Sequence, residues 1–188
     1  MQKPNISILG AGFAALTAAR TLRKRLPDAN ITLVAPKSEF VFLPSLIWVP
    51  TGLRNREDVV LPLDGFLKRH RLGFKQAAVT GIDKGGREVM TTAGPVSNDA
   101  LVIATGGRFM KGLPGIEHAL TLCEGYEAAE RIRTRLLSLE KGRIAVGFGG
   151  NPNEPSAMRG GPMFELLFGI ETWLRRQGRR NDVELTFF

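Results

Sequence analysis

Gly10-x-Gly12-x-x-Ala15 is the first stretch of this chain whose spacing implies chemistry. It stands between the aliphatic run Ile6–Leu9 and a segment of helical periodicity. A glycine at 10 permits a tight turn, and a glycine at 12 lets a pyrophosphate approach the backbone. A small residue at 15 lets strand and helix pack closely. The helix that follows offers its first N–H groups and the positive end of its dipole to the phosphates. The pattern implies a dinucleotide site made of backbone rather than of side chains.

A ribose contact in such a site normally comes from the end of the second strand, often from an acid. Ala35-Pro36-Lys37-Ser38-Glu39 occupies that place, and no acid follows Val34 directly. Ser38 or Glu39 reaching the ribose, a backbone contact, and Lys37 stacking on the adenine all stay open, beside an ordinary polar turn. Ala104-Thr105-Gly106 stops a further aliphatic strand, Leu101–Ala104. A second glycine loop, Gly147-Phe148-Gly149-Gly150, follows Ile144–Val146, but Asn151-Pro152-Asn153-Glu154-Pro155 delays the next helix. A helix N-terminus so displaced cannot take a pyrophosphate straight after the strand, so NAD(P)H is not expected there.

The remaining reactive side chains are few. His70 is expected on a short helix and His118 after the turn Gly112-Leu113-Pro114-Gly115, both as surface or helix-face residues. No His/Cys/carboxylate group has metal-ligand spacing, so no metal is expected. The single cysteine, Cys123, excludes an internal disulfide and reads as a small buried hydrophobe.

The elements that must position these groups alternate. Phe13–Leu26 is an amphipathic helix with Leu16, Ala19, Leu22 and Leu26 on one face, ended by Pro27. Ile31–Val34 completes a right-handed βαβ unit. A short helix after Pro62, strands over Phe74–Thr80 and Arg87–Thr92, and a helix over Glu124–Leu139 follow. A helix around Phe164–Arg176 and a strand over Val183–Phe188 end the chain. The expected fold class is α/β: a doubly wound, Rossmann-like parallel sheet with a small antiparallel β-insertion between about Phe74 and Thr92, then the first βαβ of a second dinucleotide domain. The expected domains are residues 1–110 and 111–188.

Composition narrows the partners. At 188 residues, 43% apolar and 23% charged, the chain is an ordinary globular protein and not a disordered tail. Its apolar stretch FVFLPSLIWVP is too short to span a bilayer. A net charge of +8 favours anionic partners. The basic residues are scattered and tyrosine occurs once, so no nucleic-acid platform is expected. Arg175, Arg176, Arg179 and Arg180 cluster at a helix end, where dipole compensation or contact with acidic lipid are alternatives.

The run Phe40–Leu63, FVFLPSLIWVPTGLRNREDVVLPL, resembles sulfide:quinone oxidoreductases and flavocytochrome sulfide dehydrogenases. The resemblance extends to Gly10–Ala15, Leu101–Gly106 and GGPMFELLFGIETWLRRQG, and so covers nearly the whole chain, as the N-terminal half of that FAD-dependent pyridine nucleotide-disulfide oxidoreductase family. It implies FAD held by Gly10, Gly12, Phe13, Ala15, Ala35, Lys37, Pro44, Val79, Thr105 and Gly106. Pro44 would sit near the flavin ring and Val79 would meet the adenine through its backbone. It also implies electron transfer from a small reductant to a quinone-like acceptor and a cytoplasmic location at the membrane periphery; a homodimer is expected separately, from the apolar surface an uncovered parallel sheet exposes. One departure bears on the chemistry. The family's redox cysteine has no counterpart in Pro155-Ser156-Ala157-Met158-Arg159-Gly160. Neither Ser156 nor Met158 replaces a thiolate as sulfur acceptor. Relatives continue well past Val183–Phe188, so these residues alone are expected not to turn over. A non-catalytic nucleotide-binding or interaction module and an NAD(P)H-dependent reductase are the alternative functions.

Overall fold

The computed structural model describes residues 3–107, 114–149, 153, 154, 156 and 160–188. In chain order the elements are β1 (Asn5–Leu9), α1 (Phe13–Arg25), β2 (Asn30–Ala35), β3 (Glu39–Val41), α2 (Arg56–Val59), β4 (Val60–Pro62), α3 (Asp64–His70), β5 (Gly73–Gln76), β6 (Val79–Ile82), β7 (Glu88–Thr91), β8 (Val96–Ser97), β9 (Ala100–Ile103), α4 (Tyr126–Ser138), β10 (Gly142–Val146), α5 (Gly161–Arg176) and β11 (Val183–Phe187). Short 3-10 turns cover Leu43–Trp48, Ile116–His118 and Leu122–Glu124. The chain divides into two units, residues 1–41 with 60–109, and residues 42–59 with 110–188.

The first unit is built on a parallel sheet of order β5-β2-β1-β9. Ile6 and Ile8 of β1 and Ile31 and Leu33 of β2 point to one face, where they bury against Ala15 and Ala19 of α1. Leu9 and Val34 point to the other face and bury with Ala77 and Val89. Both faces are therefore covered, which a parallel sheet requires. Each of the isoleucine, leucine and valine side chains here contributes on the order of 1.5–3 kcal/mol by leaving water. This bears out the α/β, doubly wound class.

The β-insertion differs from the expectation. Phe74–Thr80 is not one strand: β5 runs parallel beside β2, with Thr32 opposite Gly73 and Ala35 opposite Gln76. The buried Ala77 then donates its N–H to Ala35 O at 3.0 Å, and the chain leaves the sheet there. The insertion is the antiparallel set β6-β7-β8, beginning at Val79 and reaching Ser97. The stretch after β2, expected to be irregular, also holds order: β3 pairs antiparallel with β4, Phe40 opposite Leu61.

In the second unit β10 and β11 pair in parallel, with Ile144 opposite Leu185. The helix expected over Glu124–Leu139 is a 3-10 turn and then α4, separated by Gly125 at φ +102°. Helix α5 starts at Gly161, three residues before the expected Phe164, with Pro162 in its first turn, where a missing N–H costs nothing. Leu166, Ile170 and Leu174 form its buried stripe. Among the described residues no helix is long and apolar enough to cross a membrane.

Candidate functional site

Strands β5, β2, β1 and β9 all run the same way, so their carboxyl ends share one edge of the sheet. Strand order reverses at β1: β2 and β5 lie to one side and β9 to the other. Ligands of open α/β sheets bind outside the carboxyl ends at such a switch point. Gly10 and Ala104 stand there, one residue past β1 and one past β9.

The glycines of the fingerprint meet different demands. Gly10 has φ +117°, and a β-carbon on it would lie 2.2 Å from the carbonyl oxygen of Ala104. Its N–H donates to Val34 O at 2.8 Å. Gly10 is thus closed into the protein. Gly12 has an unstrained φ of −87°, and a β-carbon on it would meet nothing within 4 Å. Its surface faces open space. Ala15 is fully buried beneath the start of α1, so strand and helix approach as closely as the spacing implies.

Helix α1 is ready for an anion at this end. Its first hydrogen bond runs from Leu16 N–H to Gly12 O at 3.0 Å, which leaves the Ala14 and Ala15 N–H groups ahead of the helical ladder. No side chain caps the helix at Gly12 and no acid stands in its first turn. Thr105 and Gly106, the latter at φ +79°, are exposed across the switch point. Open glycine, helix terminus and glycine turn suit a pyrophosphate.

The other expected residues fall as follows. Phe13 is 51% exposed at the first turn of α1, and its ring meets Phe40 edge-on at 4.8 Å. Ala35 is buried at the end of β2 with its carbonyl taken by Ala77, and Lys37 is exposed beyond it. Val79 packs against the cluster of Leu9, Val34, Ala77 and Val89 on that face of the sheet. Pro44 belongs to the second unit, exposed in the first turn of Leu43–Trp48. Nine of the ten residues therefore lie in the first unit. Phe40 was not singled out from the sequence as a contact. Its signal was an aromatic residue opening the apolar run directly behind the ribose position.

Two described glycines of the second glycine segment are closely packed. A β-carbon on Gly160 would lie 2.7 Å from the Phe148 ring, and one on Gly147 would lie 2.5 Å from Phe188 O. Phe187 stacks with Phe164 at 4.2 Å and contacts Phe148 at 5.9 Å. An aromatic ring thus lies against Gly160, directly before α5. Gly150–Pro152, Pro155, Ala157–Arg159 and the Gly112-Leu113 turn lie outside the described residues.

Cys123 is exposed, against the expectation of burial. It sits in the short turn Leu122–Glu124, whose buried residue is Leu122, so the thiol is directed outward. His118 is exposed beside Glu117. His70 ends α3 with its ring on Phe66 at 4.5 Å. Burial, then Arg69, Arg20 and Arg23 together, lower its pKa from the ordinary 6.5. Among the described residues no group of His, Cys, Asp and Glu has the arrangement of a metal site.

Known proteins are similar to this chain in sequence and fold. The sulfide-quinone reductase of Aquifex aeolicus is 28% identical over 186 residues, 97% of this chain and 42% of that protein. Its crystal structure superimposes with a TM-score of 0.85 at 29% identity, over 98% of this chain and 42% of that one. The type II NADH:quinone oxidoreductase of Staphylococcus aureus is 35% identical over 120 residues, 61% of this chain and 29% of that protein. The Plasmodium falciparum NDH2 structure shares the fold, with a TM-score of 0.79 at 16% identity over 100% of this chain and 41% of its own. The chain spans about two-fifths of the sulfide-quinone reductase and less of the NADH:quinone oxidoreductase. The model of the pyridine nucleotide-disulphide oxidoreductases matches residues 4–151, and this chain belongs to that family.

Proposed function

We propose that the first unit binds FAD, with the pyrophosphate over Gly12 at the N-terminus of α1. The observation that carries this reading is the contrast at the switch point: Gly10 is closed against Ala104 while Gly12 faces open space. The Ala14 and Ala15 N–H groups would hold phosphate oxygens, and Thr105 and Gly106 would flank the cofactor. Ala35 and Lys37 would stand at the ribose and adenine, Val79 beside the adenine through its backbone, and Pro44 near the flavin. When bound, FAD supplies two-electron transfer between a donor and an acceptor.

The whole protein's activity, on this reading, is oxidation of a small reductant with a quinone-like acceptor, as the relatives' names suggest for them. Sulfide chemistry in the family's manner is not part of it, because no cysteine occurs between Gly147 and Phe188. The Phe148 ring against Gly160 weighs against an NAD(P)H site on the second glycine loop. A quinone acceptor implies peripheral contact with a membrane. A homodimer belongs to the same reading, supported by the edge position of β9 and by Ile103, 64% exposed on it.

The test is spectroscopic. Purified protein, incubated with FAD and freed of excess by gel filtration, should retain visible flavin absorbance. A colourless, folded protein after that treatment would overturn the reading and favour a non-catalytic module.

A further inference from the structure

Phe13 opens α1 directly after Gly12, and half of its surface is exposed. Helical side chains lean toward the N-terminus of their helix, so this ring stands toward the glycine turn. It adds little to the core. Packing under α1 comes from Ala15 and Ala19, with Leu16, Ala18 and Leu22 beside them, and Phe13 stands outside that set. The ring is nonetheless engaged: Phe40 meets it at 4.8 Å with the two planes at 90°. In this geometry the positive edge of one ring meets the negative face of the other.

Phe40 owes its own position to a different element. It is the central residue of β3 and stands opposite Leu61 of β4. The open end of this antiparallel pair is closed by the Leu63 N–H, which donates to Ser38 O at 3.1 Å. Val60, at the start of β4, and Leu63, just past its end, are buried and anchor the pair. Only the bend 36–38 separates β3 from the carboxyl end of β2. A strand pair that follows the second sheet strand therefore delivers a ring to the first turn of the helix that follows the first strand.

We infer that Phe40 is a positioning residue of the pyrophosphate cradle, acting through Phe13. The inference rests on the FAD reading above and assigns a task to a residue which that reading leaves unused. The cradle binds through backbone N–H groups, and their attraction for a phosphate weakens where water reaches it. An apolar ring at the first turn of α1 keeps water from one side of that contact. A half-exposed ring without a fixed neighbour would have to be ordered as the cofactor arrives, and that ordering costs affinity. The edge-on contact with Phe40 orders it beforehand. A purely structural role for the pair fits less well, because a ring kept for packing alone would be buried, as Ala15 is.

Titration of the 188-residue chain with FAD, followed by flavin fluorescence, tests this. Phe40→Leu, which keeps β3 apolar, should weaken FAD binding about threefold to tenfold, the worth of one edge-to-face pair. Phe40→Tyr, which keeps the ring, should bind as the parent does. In a Phe13→Leu background, Phe40→Leu should cost no further affinity, although it still lowers the melting temperature. That combination separates positioning from support of the strand pair. In the ligand-free protein, the NMR shifts of the Phe13 ring protons should move toward their random-coil values in Phe40→Leu. Undiminished affinity in Phe40→Leu, additive losses in the double variant, or unmoved Phe13 shifts would overturn the inference. Should a thermal melt show Phe40→Leu unfolded, Phe13→Leu alone decides: full affinity there also overturns it. A parent that takes up no FAD removes the cofactor reading and this inference together. A parent that takes up FAD, with variants that bind it equally well, removes this inference alone.

Discussion

The carbonyl oxygen of Ala104 lies 2.2 Å from where a β-carbon on Gly10 would stand. Two strands far apart in sequence therefore meet at the switch point closely enough to exclude a methyl group. Gly10→Ala combines that clash with a φ of +117°. It should destabilise the first unit by about 3 kcal/mol or more. Urea unfolding followed by circular dichroism measures this, and a loss below 1 kcal/mol would contradict the packing described.

Gly12 should behave in the opposite way. A side chain there meets no protein atom within 4 Å, so Gly12→Val should remain folded, at a cost of about 1 kcal/mol from the poorer helix cap. The same side chain would fill the pyrophosphate space. FAD retention should fall at least tenfold, read as flavin absorbance per protein after gel filtration; undiminished retention would remove the pyrophosphate from Gly12.

Arg23 is a fold residue carrying charge. Of its four backbone acceptors, His70 O, Arg71 O, Pro27 O and Ala29 O, only Pro27 O also takes a bond from Arg71, and a lysine cannot fork to reach them all. Arg23→Gln should lower stability by roughly 2–4 kcal/mol, and Arg23→Lys should recover less than half of that. Paired thermal melts decide it.

His70 should make stability depend on pH. Its folded pKa lies below 6.5, so the unfolded chain takes up the proton first on acidification. The stability present above pH 6.5 is then lost as pH falls through the folded value. In His70→Gln the loss over that window should shrink. NMR titration should place the His70 midpoint below 6.5, and Arg69→Gln should raise it.

The exposed thiol of Cys123 is the one site at which sulfide could form an adduct on this chain. After oxidative treatment with sulfide, mass spectrometry should find modification at Cys123 and none within 147–188. An adduct in the second glycine loop would refute the reading that the loop carries no sulfur chemistry.

Much of the cradle was legible because its demands are local. Gly10, Gly12 and Ala15 form one strand–turn–helix, and the spacing itself states which residue must be small. The division of Phe74–Thr80 was not legible. Its residues suit a strand throughout, and only the Ala77 N–H bond to Ala35 O, across forty-odd residues, marks where β5 stops and β6 starts. The exposure of Cys123 was hidden for a similar reason. Residue type argued for burial, and the turn that directs Leu122 inward directs its neighbour out.

By itself the sequence determined the βαβ unit, the glycine fingerprint, the family and the absence of a cysteine from the second glycine loop, because each is a matter of residue type at short spacing. Only the tertiary structure decided which glycine is closed and which is open. It also decided that Phe148 fills the space beside Gly160, and that two basic helix ends separated by more than forty residues form one face. Those outcomes depend on which segments the parallel sheet and its covering helices bring together. No local pattern in the chain encodes that choice.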